Sequence, residues 1–583
     1  MKKVLYVPLD DRPVNLDDVI ILGRSAGLEV ITPDDEYIKN RMDSHKTSEG
    51  DTLMSTSCPH VGDTAAIRRF IEELADSADG FIISSDMLAY GGLIGSRRLR
   101  PSGSGNYPDY DPEVTHLLDV IRTVKERYPH KPVYVLDTIM RLATTTYVDG
   151  VFQDAYDESR NLMKQPRKPF SRLEDILSGY DLKPDGTPYP DSHTFNKEEY
   201  YEARRHKFKS NVYLLHQLCR LGFIDFLAIG VDDSSTQGVQ ANEIIFIENY
   251  INENLEGEDG QQPERVIILP DADGLGHSLM ARMACQLSSS FHKRHYAVQY
   301  FGPDGCSIIN PYEYMSVHDN IRYHVEIVRG QLVDDVDSGA SSSFASKKPE
   351  VQIIAVTGPE GISAAIQQLQ NNAADEVPSV VIDFTGGGAA RPEVAEALLD
   401  TPAAGQLLGY SAWNTAGNKI GIALGMAQAR YAFVTSEQED SSRKSAVQSH
   451  GSLLFKRFLK DYAYKKITIA VIREYSRARA LYTNIPYADG HMLLFNTEED
   501  YVHLTQMLQE QMQLHCAALA ARNAFGIGST NPSRNVLSMC GGRWTYAEYT
   551  SVSLPEDGVE FTWHRAFEIT LQPSVVLNEV HQS

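Results

Sequence analysis

Carboxylates stand where parallel strands should end, at several places along the chain. The apolar run Phe226–Val231 stops on Asp232 and Asp233, and Val4–Leu9 stops on Asp10, Asp11 and Arg12. Gly80–Ser84 is followed by Ser85 and Asp86, and Val133–Leu136 by Asp137, with Arg141 four residues on. Arg265–Leu269 is followed by Asp271 and Asp273, and Leu407–Trp413 by Asn414 and then Asn418. In parallel α/β folds the C-terminal strand edge is where ligands bind. A single acid at a strand end is most simply an N-cap of the next helix, and Asp34–Asp35 after Leu28–Thr32 need no more than that. A cap takes one acceptor, however. Asp10–Asp11, Asp232–Asp233 and Asp271/Asp273 each therefore hold a carboxylate that capping does not explain.

Carboxylates with no His or Cys cluster beside them suit general acid/base work on a neutral, polyhydroxylated substrate, one acid kept protonated by its neighbour's charge. Successive side chains leaving a strand point different ways. In Asp232–Asp233, one can protonate a leaving oxygen while the other orients a substrate group. Asp232 and Asp233 are accordingly read as catalytic, with Asp10 and Asp11, placed by Arg12, as a second catalytic pair. Arg12, Asp86, Asp137, Arg141, Asp273, Asn414 and Asn418 are expected to bind hydroxyls, and Tyr90 and Trp413 to stack on a sugar ring. The expected function is a glycoside hydrolase or related carbohydrate-active enzyme, with a small carbohydrate as its partner.

Two other readings stay open. "PDADGLGHSLMAR" (Pro270–Arg282) puts Asp271, Asp273 and His277 within seven residues. With Asp10, these would suit a metal-dependent hydrolase or phosphoesterase. No HxH or HExxH accompanies them and His277 falls where a helix should begin, so no metal and no other cofactor is expected. The third reading is a non-catalytic sugar-binding protein. "DFTGGGAARPE" (Asp383–Glu393) lacks GxGxxG spacing and GK[ST] and reads as a tight strand–helix turn, and no GxSxG elbow is present.

The elements that must position these residues are short β-branched or aromatic runs alternating with amphipathic helices. Ten runs read as strands: the six above, Leu28–Thr32, Ala297–Phe301, Val351–Val356 and Ser379–Phe384. Runs that are apolar throughout and alternate with helices imply a parallel sheet covered on both faces. A (β/α)8 barrel with an insertion around residues 297–357 would use eight of the ten and is favoured. Two doubly wound α/β domains meeting near residue 290 would use all ten. Residues 1–435 are expected to form the α/β catalytic domain, with insertions near 101–112, 165–195 and 334–350. The last of these is Ser/Ala-rich and reads as a surface loop. Residues 436–583 read as a mainly helical region with a short β tail, "VEFTWHRAFEITL".

Fifty-four basic against 78 acidic residues leave a formal charge of −24. Such a surface repels nucleic acid and anionic membrane alike. The first apolar run is too short for a signal peptide, and no segment approaches the roughly 18 apolar residues of a membrane helix. Six scattered cysteines without CxxC spacing fit a reducing compartment. The expectation is a cytoplasmic protein, with self-association left open.

Several stretches together resemble the DUF4127 family of bacterial proteins, a domain of unknown function of about this length. They are "VPLDDRPVN" (Val7–Asn15), "SSDMLAYGGLIGSR" (Ser84–Arg97), "DTIMRLA" (Asp137–Ala143) and "VDDSSTQGVQANE" (Val231–Glu243). "GYSAWNTAGNKIG" (Gly409–Gly421), "KRFLKDYAY" (Lys456–Tyr464) and "TWHRAFEI" (Thr562–Ile569) continue the resemblance across nearly the whole chain. It assigns no catalytic residue, but implies that these segments share one site. An acid is expected after Asp273 in such proteins. Gly274 stands there, which puts in doubt a role for Asp273 as half of a pair.

Overall fold

All ten of those runs are strands in the computed structural model, with boundaries moved by a few residues at most. It describes residues 1–40, 44–46, 52–54, 60–98, 110–145, 153–255, 265–288, 294–303, 305–333, 349–436, 438–478 and 498–580. The expected surface loop at 334–350 and the insertion at 101–112 lie almost wholly outside the described residues.

The first strands are β1 (Lys2–Val7), β2 (Leu28–Ile31), β3 (Ser44–Lys46), β4 (Thr52–Met54), β5 (Gly80–Ser84), β6 (Val133–Ile139), β7 (Phe226–Val231) and β8 (Val266–Leu269). Six of them form one parallel sheet in the order β2-β1-β5-β6-β7-β8, and β3 and β4 pair apart as a hairpin. A second parallel sheet follows from β9 (His295–Phe301), β10 (Gln331–Val333), β11 (Val351–Val356), β12 (Ser379–Asp383) and β13 (Gly409–Ser411), in the order β10-β9-β11-β12-β13.

The favoured barrel is therefore corrected. Closing a barrel requires the last strand to pair back onto the first, and among the described residues no ladder joins the two sheets. In each sheet the chain lays its second strand on one side of the first, then returns to the other side. The strand order thus reverses beside β1 and beside β9, the arrangement that opens a crevice at the C-terminal edge of an α/β sheet.

β5, β6, β7 and β8 are buried along their whole length, as continuous apolar runs covered on both faces should be. The strand period of two divides β1 between two cores: Val4 and Tyr6 face one, Leu5 and Val7 the other. The first of these cores continues through the second sheet, including Ile353 of β11 and Val380 of β12. The helix after β8 (Leu275–Leu287) and the wholly buried helix after β13 (Ala416–Val434) pack against each other inside it. Glycines leave no room for a side chain between them. A Cβ on Gly421 would lie 2.8 Å from Gly274 Cα, and one on Gly425 would lie 2.7 Å from His277 Cβ.

From Asp440 the chain is helical through Ala478, passing through a π-helical stretch at Leu459–Thr468, and again over Glu498–Ala521. The expected β tail is a hairpin of β16 (Val559–Phe561) and β17 (Ile569–Leu571). A three-stranded antiparallel sheet of β14 (Arg534–Cys540), β15 (Arg543–Ser553) and β18 (Ser574–Glu579) was not expected. The C-terminal helices are tied to the first sheet by a buried ion cluster: Lys456 and Arg457 reach Asp18 at 2.5 and 3.0 Å. Among the described residues no helix is long and apolar enough to cross a membrane.

Candidate functional site

The C-terminal ends of both sheets open on one cavity of about 600 Å³. The first sheet contributes Asp10 and Arg12 after β1, Arg141 after β6, Asp232 and Asp233 after β7, and Asp271 and Asp273 after β8. The second sheet contributes Gly387 and Gly388 after β12, and Asn414 and Asn418 after β13. The segment between β16 and β17 closes one side with Trp563, Arg565 and Phe567. Residues called from strand ends in two halves of the sequence thus meet in one place.

Neither doubled acid pair is there to cap a helix. The helix after β1 starts at Asp17 and the helix after β7 at Val239, both without a side-chain cap. Arg12 instead holds two carboxylates. Its Nε donates to Asp10 Oδ2 at 2.9 Å, and its two terminal nitrogens reach Asp273 at 2.5 and 3.3 Å. Asn15 Nδ2 donates to the same pair, at 2.8 Å to Asp10 and 3.1 Å to Asp273. The guanidinium fills the space between Asp10 and Asp273 that a bound cation would need.

Asp232 is hydrogen-bonded by Arg97, and Asp233 lies 3.4 Å from Arg141. Burial and the adjacent Asp233 raise the Asp232 carboxyl, against the pull of Arg97. The backbone here is over-determined. Gln240 Nε2 donates to the Asp232 carbonyl at 2.9 Å, Arg160 to the Asp233 carbonyl at 3.1 Å, and Ser234 N to the Tyr312 carbonyl at 2.8 Å. Asp233 (φ 42°), Tyr312 (φ 72°), Asn414 (φ 65°) and Trp563 (φ 54°) adopt left-handed conformations and line the cavity, four of the six such non-glycine residues described. Each costs on the order of 1–3 kcal/mol, and such strain gathers where geometry serves function.

Among the described residues, two buried acids of the cavity wall form no ion pair with a lysine or arginine. Asp271 Oδ1 accepts from Gly274 N at 2.9 Å, and its carboxyl is pushed up to about 8 by burial and by Asp273. Its Oδ2 turns away, into the junction of Gly274 and Gly421, where a Cβ on either glycine would come within 2.6 Å of it. Glycine after Asp273 is therefore a packing requirement of this helix pair. Glu313 accepts from Gly417 N at 2.8 Å through Oε1 and is also hydrogen-bonded by the Thr415 side chain, both of them neutral groups. Burial holds this carboxyl well above the usual range, with Asp271 and Asp233 adding to the shift and the Gly417 N–H opposing it.

Several expected site residues stand elsewhere. Asp86 and Asp137 share Lys207 at 3.1 and 2.7 Å in a fully buried cluster behind the cavity, with Asn211 and Ser85 on Asp137. Tyr90 lies beside His206 with its hydroxyl 3.4 Å from Nδ1. Trp413 has no exposed surface and packs on Phe567 at 6.3 Å between ring centroids. Asp11 does not line the cavity but holds Trp563, which does. His277 is buried near Asp18, with neither ring nitrogen hydrogen-bonded among the described residues and its pKa lowered to about 3 by burial. It does not join Asp271 and Asp273 at the cavity. Among the described residues no three His, Cys, Asp or Glu side chains converge as metal ligands.

The cavity also holds residues that strand-end reasoning missed: Arg97, Glu313, Lys419, Lys465, Trp563 and Arg565. Arg97, Lys419, Trp563 and Arg565 fall inside segments already noted for their resemblance, so segment membership was the signal for them. Lys465 adjoins such a segment. Glu313, in a loop after β9, carries no local signal at all.

A family described as "Protein of unknown function (DUF4127)" matches residues 4–572. No curated protein matches the chain. Among solved structures, it is similar to a point mutant of exo-1,3/1,4-beta-glucanase (ExoP) from a Pseudoalteromonas species at 13% identity, covering 48% of this chain and 43% of that one, with a TM-score of 0.13. The match thus spans less than half the glucanase's length, and at that score it carries no argument.

Proposed function

Since the chain belongs to the DUF4127 family, whose description assigns no activity, we propose a function from the site alone: hydrolysis of glycosidic bonds by carboxyl groups at the C-terminal ends of parallel strands. One observation carries this reading. A single cavity wall presents a buried carboxyl group that pairs with no lysine or arginine among the described residues, Glu313, together with carboxylates held by arginines, Asp232 and Asp233. A carboxyl group kept protonated beside carboxylates that can attack or orient is what glycoside hydrolysis needs.

In this reading Glu313, kept protonated by burial, delivers the proton to the leaving oxygen. Asp233, facing Arg141, serves as the base or nucleophile, and Asp232, fixed by Arg97, orients a substrate hydroxyl. The Asp10–Arg12–Asp273 cluster offers a rigid set of donors and acceptors for further hydroxyls. Trp563, Tyr156 and Tyr312 supply aromatic surface suited to sugar rings.

A panel of aryl glycosides tests it. Wild-type protein should turn over at least one, and Glu313→Gln and Asp233→Asn should each lose about 10²–10⁴-fold in kcat. Wild-type-like turnover in both variants sinks the assignment.

A further inference from the structure

Among the described residues, two lysines of the cavity wall form no ion pair with a carboxylate. Arg12, Arg97 and Arg141 each lie within 4 Å of a carboxylate. Lys419 and Lys465 do not: among the described residues each ammonium donates only to a backbone carbonyl. Lys419 reaches Gly387 O at 2.6 Å, and Lys465 reaches Phe567 O at 2.5 Å while lying 4.1 Å from the Phe567 ring centroid. They are 2% and 7% exposed.

The neighbouring carboxylates are engaged elsewhere. Asp383 accepts from Thr385 N, Thr385 Oγ1 and Arg391 N, and Asp461 from Ala412 N. Glu568 accepts from Lys460 Nζ at 2.6 Å and from Val14 N. An ammonium has three donors, so each lysine keeps two unused beside the cavity. The loop next to Lys419 leaves room for a ligand group, since nothing lies within 4 Å of where a Cβ on Gly387 or Gly388 would stand.

Burying two cations without a directly paired carboxylate is unfavourable. In keeping with this, burial lowers both ammonium groups against the opposing pull of more distant carboxylates, Asp383, Asp461 and Glu313 for Lys419 and Glu568 and Asp461 for Lys465, and takes Lys465 to about 7. We infer that the ligand of this cavity carries an oxyanion seated by Lys419 and Lys465, so that the substrate is an anionic sugar rather than the neutral one expected from the strand-end acids. The sugar part of this inference rests on the glycosidase reading. The oxyanion part does not.

The test is isothermal titration of the full chain at pH 7 and matched ionic strength with glucuronate, glucose 6-phosphate, glucose 6-sulfate and glucose, with inorganic phosphate and sulfate alongside. At least one anionic sugar should bind tenfold or more tighter than glucose, and the three anions distinguish a carboxylate ligand from a phosphate or sulfate ester. Lys419→Gln and Lys465→Gln should lose that preference, Lys465→Arg should restore part of it, and thermal melts of the unliganded variants show whether they fold.

Equal binding of glucose and the anionic sugars overturns the inference. So does no binding of any anion, or a preference that survives in both folded glutamine variants. The aryl-glycoside assay with Glu313→Gln is read separately. Turnover of neutral glycosides without charge preference removes the oxyanion and keeps the glycosidase. Lysine-dependent anion binding without turnover of any glycoside does the reverse.

Discussion

The indole N–H of Trp563 donates to Oδ1 of Asp11 at 2.9 Å, across 552 residues of sequence. The other oxygen of Asp11 accepts the backbone N–H of Asn40 at 3.1 Å. Asp11 thus joins the end of β1 to the C-terminal segment that walls the cavity, and helps hold Trp563 in its left-handed conformation. Its role is to position that wall.

This contact should titrate. Burial and the neighbouring Asp10 raise the Asp11 carboxyl to about 7. Because the folded value lies above the unfolded one, its stabilising contribution is full below about pH 4 and is lost as pH rises through 7. Trp563 is one of three tryptophans, and tryptophan fluorescence should change with a midpoint near 7. The transition should vanish in Asp11→Asn and persist in Trp544→Phe. An unchanged transition in Asp11→Asn refutes the link.

Removing Arg12 should be severe. Arg12→Met leaves Asp10, Asp273 and Glu568 buried with one fewer cation, a loss of about 3–5 kcal/mol by analogy with broken buried ion pairs. Thermal or urea unfolding measures this directly. A loss under about 1 kcal/mol, the scale of an exposed pair, means that the cluster is not as desolvated as it stands.

Asp271 supplies a second pH dependence. Its carboxyl is raised to about 8 by burial and by Asp273, so it favours the folded state below about pH 4 and loses that contribution as pH climbs through 8. Asp271→Asn keeps the shape and removes the ionisation. Relative to wild type, the variant should gain stability between pH 5 and pH 8, by up to about 1.4 kcal/mol per pH unit. A difference that is flat over this range contradicts the assignment of a neutral Asp271.

The glycine after Asp273 can be tested by adding one methyl group. A Cβ on Gly274 would lie 2.4 Å from Asp271 Oδ2 and 2.9 Å from Gly421 Cα. Gly274→Ala should cost about 1–3 kcal/mol by overpacking, read as a lower Tm. An alanine variant as stable as wild type would show that the two helices can part without penalty.

In Glu313→Gln, the loss of turnover should depend on the leaving group. Substrates with poor leaving groups need the proton and should lose activity most, and an activated dinitrophenyl glycoside should recover much of its rate. The alkaline limb of the kcat profile should also disappear, since a buried acid with a raised pKa produces it. A uniform loss on all substrates, with the limb intact, assigns Glu313 a structural role.

Much of the fold was legible because it is written locally. Each of the ten strands is a short apolar run with polar or turn residues at its ends, and periodicity reports such runs wherever they pack. The barrel was a misreading at the next level up. Alternating strands and helices look the same whether the last strand closes on the first or the chain reverses beside β1 and again beside β9. The strand-end acids were found by the same local logic, and so were their failures. Asp86 follows β5 as expected, but Asp137 lies within β6, and Lys207 from a later helix pairs with both.

The amino-acid sequence by itself determined where the strands lie and which of them end in carboxylates, since both follow from neighbouring residue types. Only the tertiary structure decided what each carboxylate can do. Arg12 meets Asp273 across 261 residues, Glu313 arrives from a loop with no local signal, and Lys465 comes from a helix of the C-terminal region. Protonation and reactivity are set by burial and by the charges brought near, and those neighbours come from distant parts of the chain that fold together.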